Sequence, residues 1–164
     1  MRLVQTLENI YKDDQKYRQV NANMEIDPKE MALLDELNLI KVKAILDKNG
    51  WPDSLLISDP EHISLFLVIQ HSDIQTQNKY LPVFKEAMSR GKLNPKHVAM
   101  LEDRIAVNEG KLQIYGSQIG QDPDSKEFFV KPMVDPKHVD ERRLSMGMQP
   151  LSEYVKIWGI SLEK

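Results

Sequence analysis

The helix expected from Val98 to Val107 carries charge where its surroundings are apolar. At about 100° per residue, Val98, Ala99, Met100, Leu101, Ile105, Ala106 and Val107 surround its whole circumference. Glu102, Asp103 and Arg104 are consecutive, so they point in three directions and share no polar face. A helix that is apolar all round is normally buried. Asp103 sits among Ala99, Met100, Ala106 and Val107, and Arg104 among Met100, Leu101 and Val107. Both are therefore expected to be desolvated and paired. They read either as a buried clamp that fixes packing or as a carboxylate and a guanidinium held for chemistry.

His71, after Gln70, ends the most hydrophobic stretch of the chain. An imidazole there suits general-base work, because its ordinary pKa of about 6.5 needs little tuning. It equally suits the C-terminal end of a helix dipole. Gln113 and Tyr115 alternate on one expected strand face and lead into Gly116-Ser117-Gln118. Glycine at that point lets backbone amides approach a ligand, and Gln113, Tyr115 and Gln118 can orient a polar group. The bland alternative is a solvated hairpin edge. Asp140 and Arg143, with Glu141 and Arg142 beside them, are an i,i+3 pair, and Asp14 and Arg18, beside Gln15, an i,i+4 pair. At that charge density the ordinary reading is a solvated helix face. No metal site is expected, since His62 and His71 fall on opposite helix faces and His97 and His138 are isolated.

These residues need elements to position them. Leu3, Val4, Leu7, Ile10 and Tyr11, continued by Tyr17, predict a helix from about 2 to 20. Asp27 suits an N-cap, Pro28 a first helical position, and Glu30 a capping box, opening a helix to about Lys48 that Asn49-Gly50 stops. Ser58-Asp59-Pro60-Glu61 repeats that start grammar, which makes Ile63 to Ile69 a buried helix rather than a strand. Ser72-Asp73 opens a helix to about Arg90 that Pro82 must kink or divide. Asn94-Pro95 opens the next, to about Asn108.

The period then changes. Leu112 to Tyr115 alternates as a strand ending at Gly116, and Phe128, Phe129 and Val130 begin a return strand, giving a β-hairpin near 111–134. Asp135-Pro136 caps another helix with Gly147 beyond its end, and Pro150 starts a last short one that ends near Gly159. The fold class is mainly α (α+β): a compact multi-helix domain with one β-hairpin, residues 1–164 forming a single domain.

At 164 residues the chain can bury roughly 70% of its unfolded surface. Hydrophobic residues at 41%, charged residues at 29% and a mean hydropathy of -0.47 fit a soluble globular protein. No stretch approaches the roughly 18 apolar residues of a membrane span, and the N-terminus lacks the apolar core of a signal peptide. Cysteine is absent, which excludes disulfides, Cys-zinc sites and thiol catalysis. A net charge of -3 argues against a nucleic-acid partner. A cytoplasmic location, no membrane association and no cofactor are the expectations.

One ordered set of motifs spans nearly the whole chain. It runs Asp14-Gln15-x-x-Arg18, Gly50-Trp51-Pro52, Gln70-His71, Leu101-Glu102-Asp103-Arg104 and Gly110-x-x-Gln113-x-Tyr115-Gly116-Ser117-Gln118. Val139-Asp140-Glu141-Arg142-Arg143 and Leu151-x-x-Tyr154 complete it. The set resembles a bacterial family known only as a domain of unknown function. Ser117 stands where that family usually has Thr and keeps the hydroxyl, and Met146-Gly147-Met148 replaces Leu-Gly-Leu, a swap cores tolerate. The resemblance implies no activity. It does imply that His71, Asp103, Arg104, Gln113, Tyr115 and Gln118 converge on one pocket, joined by Asp14, Gln15, Arg18, Asp140 and Arg143.

Two functions follow. In the preferred one a polar pocket binds or processes a small polar or anionic ligand. His71 is the general base, oriented by a carboxylate such as Asp103, with Tyr115 the third catalytic group. Arg104 clamps an anionic group, and Gln70, Gln113 and Gln118 contact the ligand; hydrolysis or group transfer on a small anionic metabolite fits. No Gly-rich phosphate loop and no Gly-x-Ser-x-Gly elbow selects a reaction. The alternative is a non-enzymatic structural or interaction protein whose buried polar network only fixes packing. Its partners would use Trp51, Trp158 or the N-terminal helix.

Overall fold

The computed structural model describes residues 3–16, 27–52 and 59–162, with the side chains of Asn49 and of 59–62 outside that description. Arg18, Tyr17, Ser58 and the His62 side chain, all singled out from the sequence, therefore lie outside the described residues. Among the described residues, seven α-helices and a two-stranded antiparallel hairpin make the architecture mainly α with a small β-hairpin, as expected. The chain divides into two compact units, Met1–Leu93 and Asn94–Lys164.

In the first unit, α1 (Leu3–Gln15), α2 (Pro28–Asn49), α3 (Asp59–His71) and α4 (Ile74–Ser89) follow one another. Two of the expected start signals, at Asp27 and Asp73, work as read. Asp27 Oδ1 accepts from the Lys29 amide at 2.9 Å with Pro28 in the first turn. Asp73 takes both the Thr76 amide and hydroxyl at 2.8 Å, and those bonds hold its carboxyl below the usual range. Gly50, at φ +64, ends α2 where a left-handed residue is required. Glu30 meets Lys16 Nζ at 2.7 Å, a contact between α2 and the end of α1.

The apolar run of α3 is a buried helix and not a strand: Leu65, Phe66, Val68 and Ile69 are all buried. Ser64, equally buried, donates its hydroxyl to the Leu7 carbonyl at 2.9 Å. A small residue there lets α1 and α3 approach closely. Of the two outcomes expected at Pro82, a kink or a division, division does not occur: the residue lies inside α4. Proline removes one helical hydrogen bond, while Tyr80, Phe84 and Ala87 on the same helix are buried, so packing outweighs the loss. Trp51, expected as exposed docking surface, is 8% exposed, and its ring packs edge-on against Phe84 at 4.9 Å.

The second unit contains α5 (Pro95–Asn108), β1 (Ile119–Gln121), β2 (Phe128–Val130), α6 (Val139–Ser145) and α7 (Leu151–Tyr154). Asn94 caps α5, accepting from the Lys96 amide at 3.1 Å. A core of Val139, Leu151 and Val155 is covered by Ile119, Val130, Met133, Tyr154 and Ile160. The hairpin starts later than its sequence suggests. Ile119 pairs with Val130, Gly120 with Phe129 and Gln121 with Phe128, whereas 112–116 forms no regular strand and only Gln113 bridges to Met133. Asp135 does not cap with its carboxylate, which binds His138 Nδ1 at 2.7 Å and raises that imidazole's pKa.

Candidate functional site

The two units each hold a polar constellation. In the first, α1 and α3 bring Asp14 and His71 together, with Asp14 Oδ1 at 3.1 Å from His71 Nδ1. The second Asp14 oxygen accepts from Gln15 Nε2 at 2.8 Å. The carboxylate side chain is 2% exposed and the imidazole 23%. That is a sheltered acceptor holding a half-open ring. Asp14 is thus a buried carboxylate turned toward α3 and not part of a solvated face, while its expected i,i+4 partner Arg18 lies outside the described residues.

A cavity of about 150 Å³ opens beside this pair. Asp14, Asp35, Glu36, His71 and Ser72 form its polar wall, and Leu39 and Val68 its apolar part. It exceeds by far the space one water needs. Neither Asp35 nor Glu36 was singled out from the sequence, because in α2 they look like ordinary surface acids. Gln70 points elsewhere in its bonding: its backbone carbonyl accepts from Gln77 Nε2 at 3.0 Å. Its buried side-chain oxygen has no hydrogen-bond partner among the described residues.

In the second unit the expectation for α5 holds for its burial and for Asp103. No residue from Val98 to Val107 is exposed, and Asp103 is completely buried. Its partner is not a cation but a loop. Asp103 Oδ1 accepts from the amides of Ile114 at 2.6 Å and Tyr115 at 2.9 Å, and Oδ2 from Ser117 at 2.9 Å. Gly116, at φ +70, supplies the left-handed turn between these donors. A Cβ there would press on Leu151 at 3.0 Å. Amides expected to approach a ligand approach a carboxylate of the protein itself. This is also why 112–116 is not a strand: beyond the Gln113 bridge, the N–H groups of Ile114 and Tyr115 bind Asp103 and not a neighbouring ladder.

Gln113, expected to project toward a ligand, is fully buried and braces the same loop. Its Nε2 donates to the carbonyls of Gln118 at 3.1 Å and Lys131 at 2.8 Å, while Oε1 accepts from the Gln118 amide at 2.8 Å. The Gln118 side chain reaches Ser117 Oγ at 3.2 Å. Tyr115 donates its phenol to Glu102 at 3.2 Å. Burial first, and then the Glu102 charge, push that phenol up to about 12.

Of the C-terminal charges, Asp140 and Glu141 are exposed as expected, but Arg142 is half-buried and Arg143 is not on a solvated face. Arg143 is fully buried, donating from Nε to the Gln149 carbonyl and from Nη1 to the Tyr115 carbonyl, both at 2.7 Å. Its guanidinium also lies 4.7 Å from the Tyr154 ring centre. Asp140, rather than pairing with Arg143, accepts from the Leu151 amide at 2.7 Å and so starts α7. Sequence reasoning passed over Arg142, which donates to the carbonyls of Ile114 at 2.9 Å and Asp135 at 3.0 Å. It also passed over the Tyr154 phenol, which donates to Ser117 at 3.0 Å. Arg142 differs from the exposed Glu141 beside it only in register and charge, a signal no single sequence displays.

Two guanidinium nitrogens in this unit, Arg104 Nε and Arg143 Nη2, are buried with no hydrogen-bond partner among the described residues. Burial lowers the pKa of both arginines, and both feel the Tyr154 phenol. The carboxylate in contact with His71 is Asp14, and the oxygens of Asp103 bind the 114–117 loop. Among the described residues no group of three or more His, Asp or Glu is placed to hold a metal ion.

The Tyr115 environment has a pH consequence. Its folded pKa of about 12 lies above the ordinary 10.0, so the unfolded chain loses the proton first. The stability it contributes is complete below pH 10 and is lost as pH rises from there to about 12. We expect Tyr115→Phe to remove part of the alkaline loss in urea midpoints taken across that range. An absorbance titration in which the phenol missing from Tyr115→Phe ionises near the ordinary value would contradict this.

A mainly α-helical protein with a loop-binding carboxylate in one unit and a carboxylate–imidazole pair in the other is the class defined so far. The chain belongs to a family of unknown function, DUF6624, whose model matches residues 2–161. No curated protein and no solved structure matches it.

Proposed function

We propose that this protein binds a small polar molecule in the cavity beside Asp14 and His71, with His71 as the proton-exchanging group and Asp14 as the residue that orients it. The observation that carries this reading is the 3.1 Å contact between a buried carboxylate and a half-open imidazole on the cavity wall. An ionised carboxylate only accepts, so it selects the imidazole form protonated at Nδ1 and leaves the Nε2 lone pair as a base. Gln15 satisfies the other Asp14 oxygen, which keeps the carboxylate in place. With Asp35 and Glu36 also in the wall, the cavity repels anions. The ligand it suits is an amine or a hydroxyl-rich neutral molecule.

The test is a thermal-shift panel of small amines, polyols, carboxylates and phosphate, with nitrogen NMR of the His71 ring. Amines or polyols should raise the melting temperature of the wild type by several degrees, since ligand at about 100 times Kd adds about 2.7 kcal/mol. Asp14→Asn should abolish the shift, and the neutral His71 ring should carry its proton on Nδ1. A ring protonated on Nε2, or amine and polyol shifts that survive Asp14→Asn, would sink this reading.

A second reading is favoured by the unpartnered Arg104 and Arg143 nitrogens. They suit an anion held in the 94–164 unit, the anionic ligand expected from the sequence. The same panel separates the two, because a response to phosphate or carboxylates that Arg104→Met removes supports the anion. For Asp103 and Gln113 the bland alternative, a network that fixes packing, is favoured by their complete use in internal hydrogen bonds.

A further inference from the structure

Helix α2 is apolar on two opposite faces. Asn38, Val42 and Leu46 are buried on one. On the other, Leu33 is 55% exposed, Leu37 44% and Ile40 58%, and Ala44 continues the row as an exposed residue. The spacing 33, 37, 40, 44 alternates four and three, the a/d seam of a heptad repeat. A helix with apolar residues on both faces needs burial on both. Isolated exposed leucines call for no explanation, but three in register along one 22-residue helix do.

The flanking charges say what covers the seam. With Leu37 and Ala44 at a, and Leu33 and Ile40 at d, Glu36 and Lys43 occupy successive g positions. In an antiparallel pair of identical helices, Leu37 packs against Ile40 of the second copy, Leu33 against Ala44, and g faces g. Glu36 of each copy then meets Lys43 of the other, twice, across a local two-fold axis. The e edge, Leu34 and Lys41, adds no like-charge contact at the corresponding distance. A parallel pair would match Glu36 with Lys41 but set Lys43 against Lys48. The antiparallel arrangement alone has no such repulsion beside the four apolar layers. At the ends of the seam Glu30 and Asp47 would oppose each other, but each already has a lysine of its own chain, Lys16 at 2.7 Å and Lys79 at 3.0 Å.

We propose that α2 is the self-association surface of this protein, and that two copies pair antiparallel through Leu33, Leu37, Ile40 and Ala44. With four layers only, the interface sits at the small end of specific contacts, so the dimer is concentration-dependent. This surface shares Glu36 with the wall of the Asp14–His71 cavity, but its test reads molecular mass without ligand, so its outcome does not depend on what that cavity binds.

Sedimentation equilibrium of the full chain from micromolar to near-millimolar protein tests it. The mass should rise from 19.0 kDa toward twice that value. Leu37→Lys with Ile40→Lys should leave a monomer at every concentration; both side chains are exposed, so the circular dichroism melt should stay close to the wild type's. Glu36→Lys alone, and Lys43→Glu alone, should each raise Kd roughly tenfold or more. The two single variants mixed together should associate better than either does alone, and the double charge swap should restore the wild-type Kd. A wild-type monomer throughout, a dimer that survives Leu37→Lys with Ile40→Lys, or a Kd unmoved by the swaps would each overturn the proposal. Coverage of this face by another part of the same chain would appear as the first of those outcomes.

Discussion

Replacing Asp103 with alanine is expected to destabilise the 94–164 unit by roughly 3–5 kcal/mol. The side chain is completely buried and is the acceptor for the amides of Ile114, Tyr115 and Ser117. Deleting it leaves those donors inside the protein with nothing to accept them, and an unsatisfied buried donor costs about 1–3 kcal/mol. Entry of water would keep the total toward the low end. Asp103→Asn should fall between: one oxygen still accepts, but its NH2 group meets a donor. The measurement is urea unfolding followed at Trp158, which packs on Tyr154 at 5.0 Å, in a Trp51→Phe background. The midpoint should drop with an unchanged slope, and hydrogen exchange should accelerate at the amides of residues 114, 115 and 117. Retained or increased stability would point the other way, toward a carboxylate kept for function at the expense of the fold.

Gln113 should be nearly as sensitive. Its amide joins three backbone groups of Gln118 and Lys131 that no other side chain reaches among the hydrogen bonds of the described residues. Gln113→Leu keeps much of the volume and abandons the Gln118 N–H and the Lys131 carbonyl, while the Gln118 carbonyl keeps the Lys131 amide at 3.1 Å, for a loss of about 2–4 kcal/mol. Gln113→Glu should be worse at neutral pH, because it sets a carboxylate against the carbonyls that now accept from Nε2. Burial raises the pKa of the introduced carboxyl, so its protonated form is the one the folded state favours. Stability of Gln113→Glu should therefore improve as pH falls, opposite to ordinary acid denaturation. Urea midpoints of the variant and wild type at neutral and mildly acidic pH decide it, and parallel pH profiles would refute the role assigned to this brace.

The contrast between Asp103 and Arg143 shows how far a single sequence carries. Burial of Asp103 was legible because every neighbour at i±3 and i±4 is apolar, and helical period converts spacing into direction. Arg143 stands in a row of charges, Asp140-Glu141-Arg142-Arg143, whose ordinary reading is a wet helix face. Its burial depends on carbonyls at Tyr115 and Gln149 that long-range folding brings to it. The same holds for His71, whose carboxylate partner lies 57 residues away.

Local grammar determined the elements: caps at Asp27, Asp73 and Asn94, stops at Gly50 and Gly147, and the buried character of α3 and α5. These follow from interactions within a few residues, and so each is written in the order of residue types. Tertiary structure decided the partners. Whether Leu112 to Tyr115 is a strand or a loop turned on the location of an acceptor, and Asp103 provides it from a neighbouring helix. Which face of α2 is covered was decided likewise, since both carry apolar residues at helical spacing and only packing buries Val42 while leaving Ile40 exposed. A hydrogen bond or a packed face needs two partners in space, and sequence order specifies just one of them at a time.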